Sequence, residues 1–158
     1  MKTAIVFLAL IAGVYTLTQT IILRGILYCN SELADNVLVE LRERDTFEPD
    51  DTLSTNRSNY YGFFQLTGSQ FEVFRIQPYL RVIHKCDVKD KYACHRHSDY
   101  AIPSYKYAVY EWKDAKPFTT DHGTYSFGLI DLNERKSRGF SRFFSDDRIT
   151  HDKEICNY

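Results

Sequence analysis

Apolar and polar residues alternate with a period of two along most of this chain, the pattern of strands that bury one face. Between Asn36 and Asp45, Val37, Val39 and Leu41 fall on one side while Glu40, Arg42 and Arg44 fall on the other. Between Tyr79 and Cys86, Leu80, Val82, His84 and Cys86 share a face opposite Arg81 and Lys85. Thr20–Tyr28, Tyr60–Leu66 and Tyr125–Leu132 read as further strands, each bounded by turn residues. Ser98–Ile102 is a weaker strand, and Tyr105–Trp112 fits strand or helix. The polar stretches Asp45–Asn59 and Asn133–Lys153 read as loops. No long amphipathic helix is available for the crossovers of a parallel sheet, so the pattern predicts an all-β Greek-key sandwich of about seven strands.

The first residues follow another logic. Met1-Lys2-Thr3 is a short positive start, and Ala4 to Ala12 is an unbroken apolar run with small residues after it. This is the layout of a secretory signal peptide, too short for the ~20 apolar residues of a spanning helix. Residues 1–18 are assigned to it, with cleavage between Ala12 and Gln19, and residues 19–158 to one domain with an extended C-terminal tail. Nothing later is apolar enough to anchor the chain, so the expected product is secreted and extracellular, without a transmembrane anchor. With 20 Lys and Arg against 21 Asp and Glu, the formal charge of −1 excludes a protein held to nucleic acid by phosphate neutralisation. A content of 44% hydrophobic and 26% charged residues excludes a disordered or integral membrane chain.

An oxidising compartment changes the meaning of the cysteines. Cys29, Cys86, Cys94 and Cys156 form an even set, read as two disulfides. Cys86 and Cys94 flank the polar stretch Asp87–Ala93 and fit the base of a hairpin, which leaves Cys29 for Cys156.

Several blocks of residues resemble those of the nematode transthyretin-like family of small secreted proteins. They are Gly25–Asn30, Asp45–Leu53, Gly62–Gly68, Ile76–Asp87, Cys94–Arg96 with Ala101–Pro103, and Tyr125–Leu132. The Pro78-Tyr79-Leu80 start with His84 and Cys86 following is the most specific of them. The resemblance implies a transthyretin-like β-sandwich, an extracellular location and no established catalytic activity. Departures are Tyr61-Gly62 where Asp-Gly is common, and Ser31 where Gly usually follows Cys-Asn. The stretch from Pro103 to Gly128 and the tail from Glu134 to Cys156 both look extended.

Among candidate chemistries, His84, His95 and His97 lie near Cys86 and Cys94, but bridged cysteines supply no thiolate and three histidines leave a zinc site incomplete. His84 is read as a core histidine and the other two as exposed; no metal or cofactor is assigned. Hydroxyisourate hydrolases share the transthyretin fold, yet their His/Arg/His set is only echoed by His95-Arg96-His97. Their C-terminal Tyr-Arg-Gly-Ser is replaced here by Ile155-Cys156-Asn157-Tyr158. No catalytic residue is carried over, and no Gly-x-Ser-x-Gly, phosphate loop or His-Glu-x-x-His is present. Asn56-Arg57-Ser58 is an N-glycosylation acceptor. Arg135, Lys136, Arg138 and Arg142 interleave with Phe140, Phe143 and Phe144 in a basic-aromatic patch suited to an anionic or apolar surface.

The expectation is a non-catalytic extracellular binding protein. Its partner would be a cell-surface protein, an anionic lipid or a small apolar ligand. A hydrolase of the same fold or a histidine-based metal-binding protein is the alternative.

Overall fold

The computed structural model describes residues 17–44, 49–72, 77–102, 123–134 and 149–157. The signal segment up to residue 16, the ambiguous segment Tyr105–Trp112 and the whole patch from Arg135 to Phe144 lie outside them. Among the described residues no helix is long and apolar enough to cross a membrane.

Two sheets face each other. The first is built on β1 (Leu17–Cys29), which pairs antiparallel with β5 (Phe63–Glu72) on one edge and parallel with β8 (Gly123–Asp131) on the other. The two-residue β2 (Glu32–Leu33) folds back on the end of β1, with Leu33 opposite Tyr28. The second sheet runs β4 (Asp51–Arg57), β3 (Leu38–Glu43), β6 (Pro78–His84), β7 (Cys94–Ala101), β9 (Ile149–Cys156), every neighbour antiparallel. The alternation read from sequence sets the facing. Ile21, Leu23 and Leu27 of β1 and Phe64 and Leu66 of β5 meet Val39, Leu41, Leu80, Val82 and Tyr100 in one core.

Described strands number nine rather than seven. Three of them were not expected: the two-residue β2, the edge β4 inside a stretch expected to be a loop, and the edge β9, which begins inside another and runs past its end. Leu53 is the single large aliphatic residue of β4, and β9 alternates polar side chains between its end isoleucines, so neither carries a hydrophobic period.

The disulfide pairing also differs from expectation: Cys29 is joined to Cys86 and Cys94 to Cys156. The β6–β7 ladder ends at His84 opposite Arg96. Beyond it the Cys86 amide turns inward and donates to His84 Nδ1, 3.2 Å away, which takes Cys86 towards the end of β1. Strand β9 then occupies the free edge of β7, with Cys156 directly across from Cys94. One bridge locks the two sheets together; the other ties the C-terminal strand to its neighbour. The loops closed span 57 and 62 residues, so in the chain-entropy model each bridge contributes about 4 kcal/mol.

Candidate interaction face and the polar network behind it

Asn56 stands on strand β4, not in a loop, and its side chain is exposed. Its Nδ2 donates to the Gln65 carbonyl at 2.9 Å and its Oδ1 accepts from the Arg57 amide. Ser58, the third residue of the acceptor triplet, is buried: its hydroxyl donates to Ala34 O and accepts from the Val37 amide. The triplet therefore ties the end of β4 to the Ala34–Val37 segment that leads into β3.

The three histidines are divided by the sheet. His84 points inward and is buried, while His95 and His97 lie half-exposed on the outer face with ring centroids 5.0 Å apart. They cannot converge on one ion. Because the Cys86 amide occupies Nδ1, His84 carries its proton on Nε2 and donates to Ser98 Oγ at 3.0 Å. Ser98 in turn donates to Asp152 Oδ1 at 3.0 Å. That direction is opposite to a nucleophilic relay, in which the hydroxyl gives its proton to the imidazole. Ser98 is also fully buried, beyond the reach of a substrate.

Arg96 completes this network and is itself fully buried. It donates from Nε and Nη2 to Asp152, from Nη1 to the Leu132 and Cys86 carbonyls, and from Nη2 to the Glu134 carbonyl. All five guanidinium hydrogens are used, which compensates the burial of the charge. Sequence reading treated Arg96 only as part of an echo of a catalytic set. Its position on the Cys94/Ser98 face of β7 was the available signal. On the outer face, His97 is less readily protonated than an ordinary histidine, through burial and then the positive charge of Arg81. Among the described residues, the sulfur and carboxylate donors that cluster are Cys94, Glu154 and Cys156, and both sulfurs belong to the disulfide.

The outward side of the first sheet has a different character. The registers align Phe63, Ile26 and Leu129 in one row across β5, β1 and β8. Phe63 is 39% and Leu129 62% exposed. Leu33 and Tyr28 form the next row, and exposed Tyr60 and Tyr61 stand in the turn that enters β5. The turn is held by Asn59, whose Oδ1 accepts from the Tyr61 and Phe63 amides. Gly62 there has φ 68°, and a side chain would strike the Leu27 carbonyl. A bulge at Gly128, φ 67°, lets buried Phe127 and Ile130 flank outward Leu129. Tyr28 is harder to ionise than a free tyrosine, through desolvation and then the charges of Asp131 and Glu134. By contrast, the cavity bounded by Arg44, Tyr79, Ile102 and Thr150 holds only about 110 Å³.

The sequence profile of the transthyretin-like family matches residues 24–103, from within β1 to just past β7. Transthyretin-like protein 16 of Caenorhabditis elegans is 35% identical over 109 residues, 67% of this chain and 82% of the relative. The chain belongs to the transthyretin-like family. Transthyretin-like protein 5 of the same organism is 36% identical over 103 residues, covering 63% of this chain and 73% of its own. Transthyretin-like protein 1 is 29% identical over 154 residues, 90% and 93% of the two chains. Cys29, Cys86, Cys94, His84, Arg96 and Ser98 all fall inside the profile match, as do Ile26 and Phe63; Leu129 and Asp152 fall outside it. Ser31, where the resemblance leads one to expect glycine, has φ 65°, the backbone conformation that favours glycine.

Proposed function

We propose that this transthyretin-like chain is a secreted extracellular binding protein that contacts its partner through the outward face of the β5–β1–β8 sheet. The observation that carries the reading is the row Phe63–Ile26–Leu129, extended by Leu33, Tyr60 and Tyr61. Five of the six large apolar side chains that stand exposed among the described residues gather there. Clustered exposed apolar surface marks a contact site, whereas scattered residues do not. A flat sheet face suits a protein or lipid surface better than a small apolar ligand, which needs a pocket of about 300 Å³ or more. The stretch Arg135–Phe144 follows Glu134 in sequence, and we assign its cations and phenylalanines to the same contact. Two bridges that close long loops support an oxidising location, and the apolar N-terminal segment is proposed to be a signal peptide. Asn56 is proposed to carry a glycan. The proton order from His84 through Ser98 to Asp152 supports a non-catalytic role.

Binding to phosphatidylserine-containing vesicles, to neutral vesicles and to a defined extracellular protein fraction tests the reading. Leu129→Asp and Phe63→Ser are expected to reduce binding at least tenfold with unchanged melting temperature, and hydroxyisourate turnover is expected to be nil. Binding unaffected by both substitutions, or measurable turnover, would overturn it.

A further inference from the structure

The two disulfides sit in different surroundings. Cys86 belongs to the hydrophobic core and Cys29 packs against it, so that bridge is part of the contact between the sheets. Neither cysteine of the other bridge belongs to that core. Cys94 and Cys156 face each other across the edge pair β7–β9, their Cα atoms 4.1 Å apart, with Cys94 buried and Cys156 half-exposed. Ile149 is the only residue that β9 gives to the core. Otherwise the strand is held by its ladder to β7, by Asp152 on Arg96 and Ser98, by Thr150 on the Asp99 carbonyl, and by the bridge. Among the described residues it pairs with no other strand. A strand that buries so little apolar surface belongs to the low-stability end of a fold and opens without the rest. Glu154 stands beside the bridge: its Oε1 lies 3.9 Å from Cys156 Sγ and accepts from the Lys89 amide at 2.9 Å.

We propose that the Cys94–Cys156 bridge is a redox latch on β9. A dithiol reductant opens it in the folded protein, and β9 then leaves the edge of β7 while Cys29–Cys86 holds the two sheets together. One thiolate of the dithiol attacks the sulfur of Cys156, the more exposed cysteine. A mixed disulfide forms there as Cys94 leaves with the electron pair and takes up a proton. The second thiol, losing its proton, attacks the reductant sulfur of the mixed disulfide, releases Cys156 as a thiol and closes the oxidised dithiol. Two electrons and two protons pass from the dithiol to the protein. Exchange follows access to the attacked sulfur, and exposed bridges are the regulatory ones. The Glu154 carboxylate repels an incoming thiolate and so sets the rate of the first step. Once β9 is released, Asp152 leaves Arg96 and Ser98, and the edge of β7 is open to pairing.

Timed reduction of the folded, disulfide-intact protein by dithiothreitol, quenched by alkylation and read by peptide mapping, tests the latch. Hydrogen exchange is measured on the species that has lost one bridge. Cys94 and Cys156 are expected to be alkylated at least tenfold faster than Cys29 and Cys86. In that species the β9 amides should lose protection while those of β1 and β5 keep it. Glu154→Gln is expected to speed opening of Cys94–Cys156 by roughly three- to tenfold at low salt and less at high salt, and to leave Cys29–Cys86 unchanged. The Cys94→Ala/Cys156→Ala double variant mimics the open state without a reductant and should show the same exchange pattern. Opening of Cys29–Cys86 first, or of both bridges together at the rate of global unfolding, overturns the proposal. Protection of β9 that survives in both the reduced protein and the double variant overturns it as well. A rate unchanged by Glu154→Gln would overturn the assignment of the attacked sulfur.

Discussion

The two sheets handle their surfaces in opposite ways. In the five-stranded sheet, charge is matched by charge on both faces. Inside, Arg96 holds Asp152; outside, Arg81 grips Asp99 with two bonds of 2.7 and 2.8 Å, and Arg42 reaches Glu40. Arg44 and Arg81 both stack on the Tyr79 ring, whose hydroxyl donates to Asp50. Tyr79 is harder to ionise as a result of burial and that bond, and Arg81 is held more firmly protonated by Asp99. In the four-stranded sheet the inward face is aliphatic and aromatic, and the outward face has a row of the same kind left in solvent. The five-stranded sheet pairs these charges within itself. The four-stranded sheet leaves its apolar row exposed among the described residues. On the proposed reading, the four-stranded sheet presents the contact side and the five-stranded sheet the structural side.

The comparison can be broken most sharply at the polar interior. Arg96→Met should destabilise by about 3–5 kcal/mol, because Asp152 and three carbonyls lose their partner in a buried site; urea unfolding measures it, and a cost below ~1 kcal/mol would deny the network its structural role. Replacing either cysteine pair by alanine should cost about 4 kcal/mol, with little difference between the two pairs, since the loops are nearly equal in length. Non-reducing peptide mapping should find Cys29 with Cys86 and Cys94 with Cys156. His84→Ala should cost roughly 1–3 kcal/mol by stranding Ser98 and the Cys86 amide. His95→Ala, on the outer face, should change thermal stability little.

A smaller effect is expected from pH. Folding holds His97 below its ordinary value near 6.5. The unfolded chain therefore takes up that proton first as pH falls, and stability declines from about pH 6.5 downward until the folded form also protonates. Unfolding free energy measured across that window should show a shallower slope in His97→Asn. An unchanged slope would mean that Arg81 and burial do not act on this ring.

The inward half of the fold was legible in the sequence. Val39 and Leu41, Leu80 and Val82, and His84 beside Cys86 all lie on the side that their alternation assigned. Edge strands β4 and β9 were not legible, because an edge strand needs few apolar residues and these have few. Missing β9 also misdirected the cysteines: without a strand to bring Cys156 beside Cys94, the short hairpin pairing looked natural. The outward row was hidden for another reason. Gly25-Ile26-Leu27, Gly62-Phe63-Phe64 and Gly128-Leu129-Ile130 each place apolar residues on both faces, so they read as buried runs. Only the registers, with the bulge at Gly128, show that one residue of each run faces outward in the same row.

The central claim is that the outward face of the β5–β1–β8 sheet is the contact surface while that of the five-stranded sheet is not. The most direct measurement compares two substitutions in one binding assay, Leu129→Asp on the first face and His95→Asp on the second. Both proteins should keep their melting temperature. Leu129→Asp is expected to lose at least tenfold in binding and His95→Asp to match the wild type. Equal binding by the two variants, or a loss confined to His95→Asp, would contradict the account.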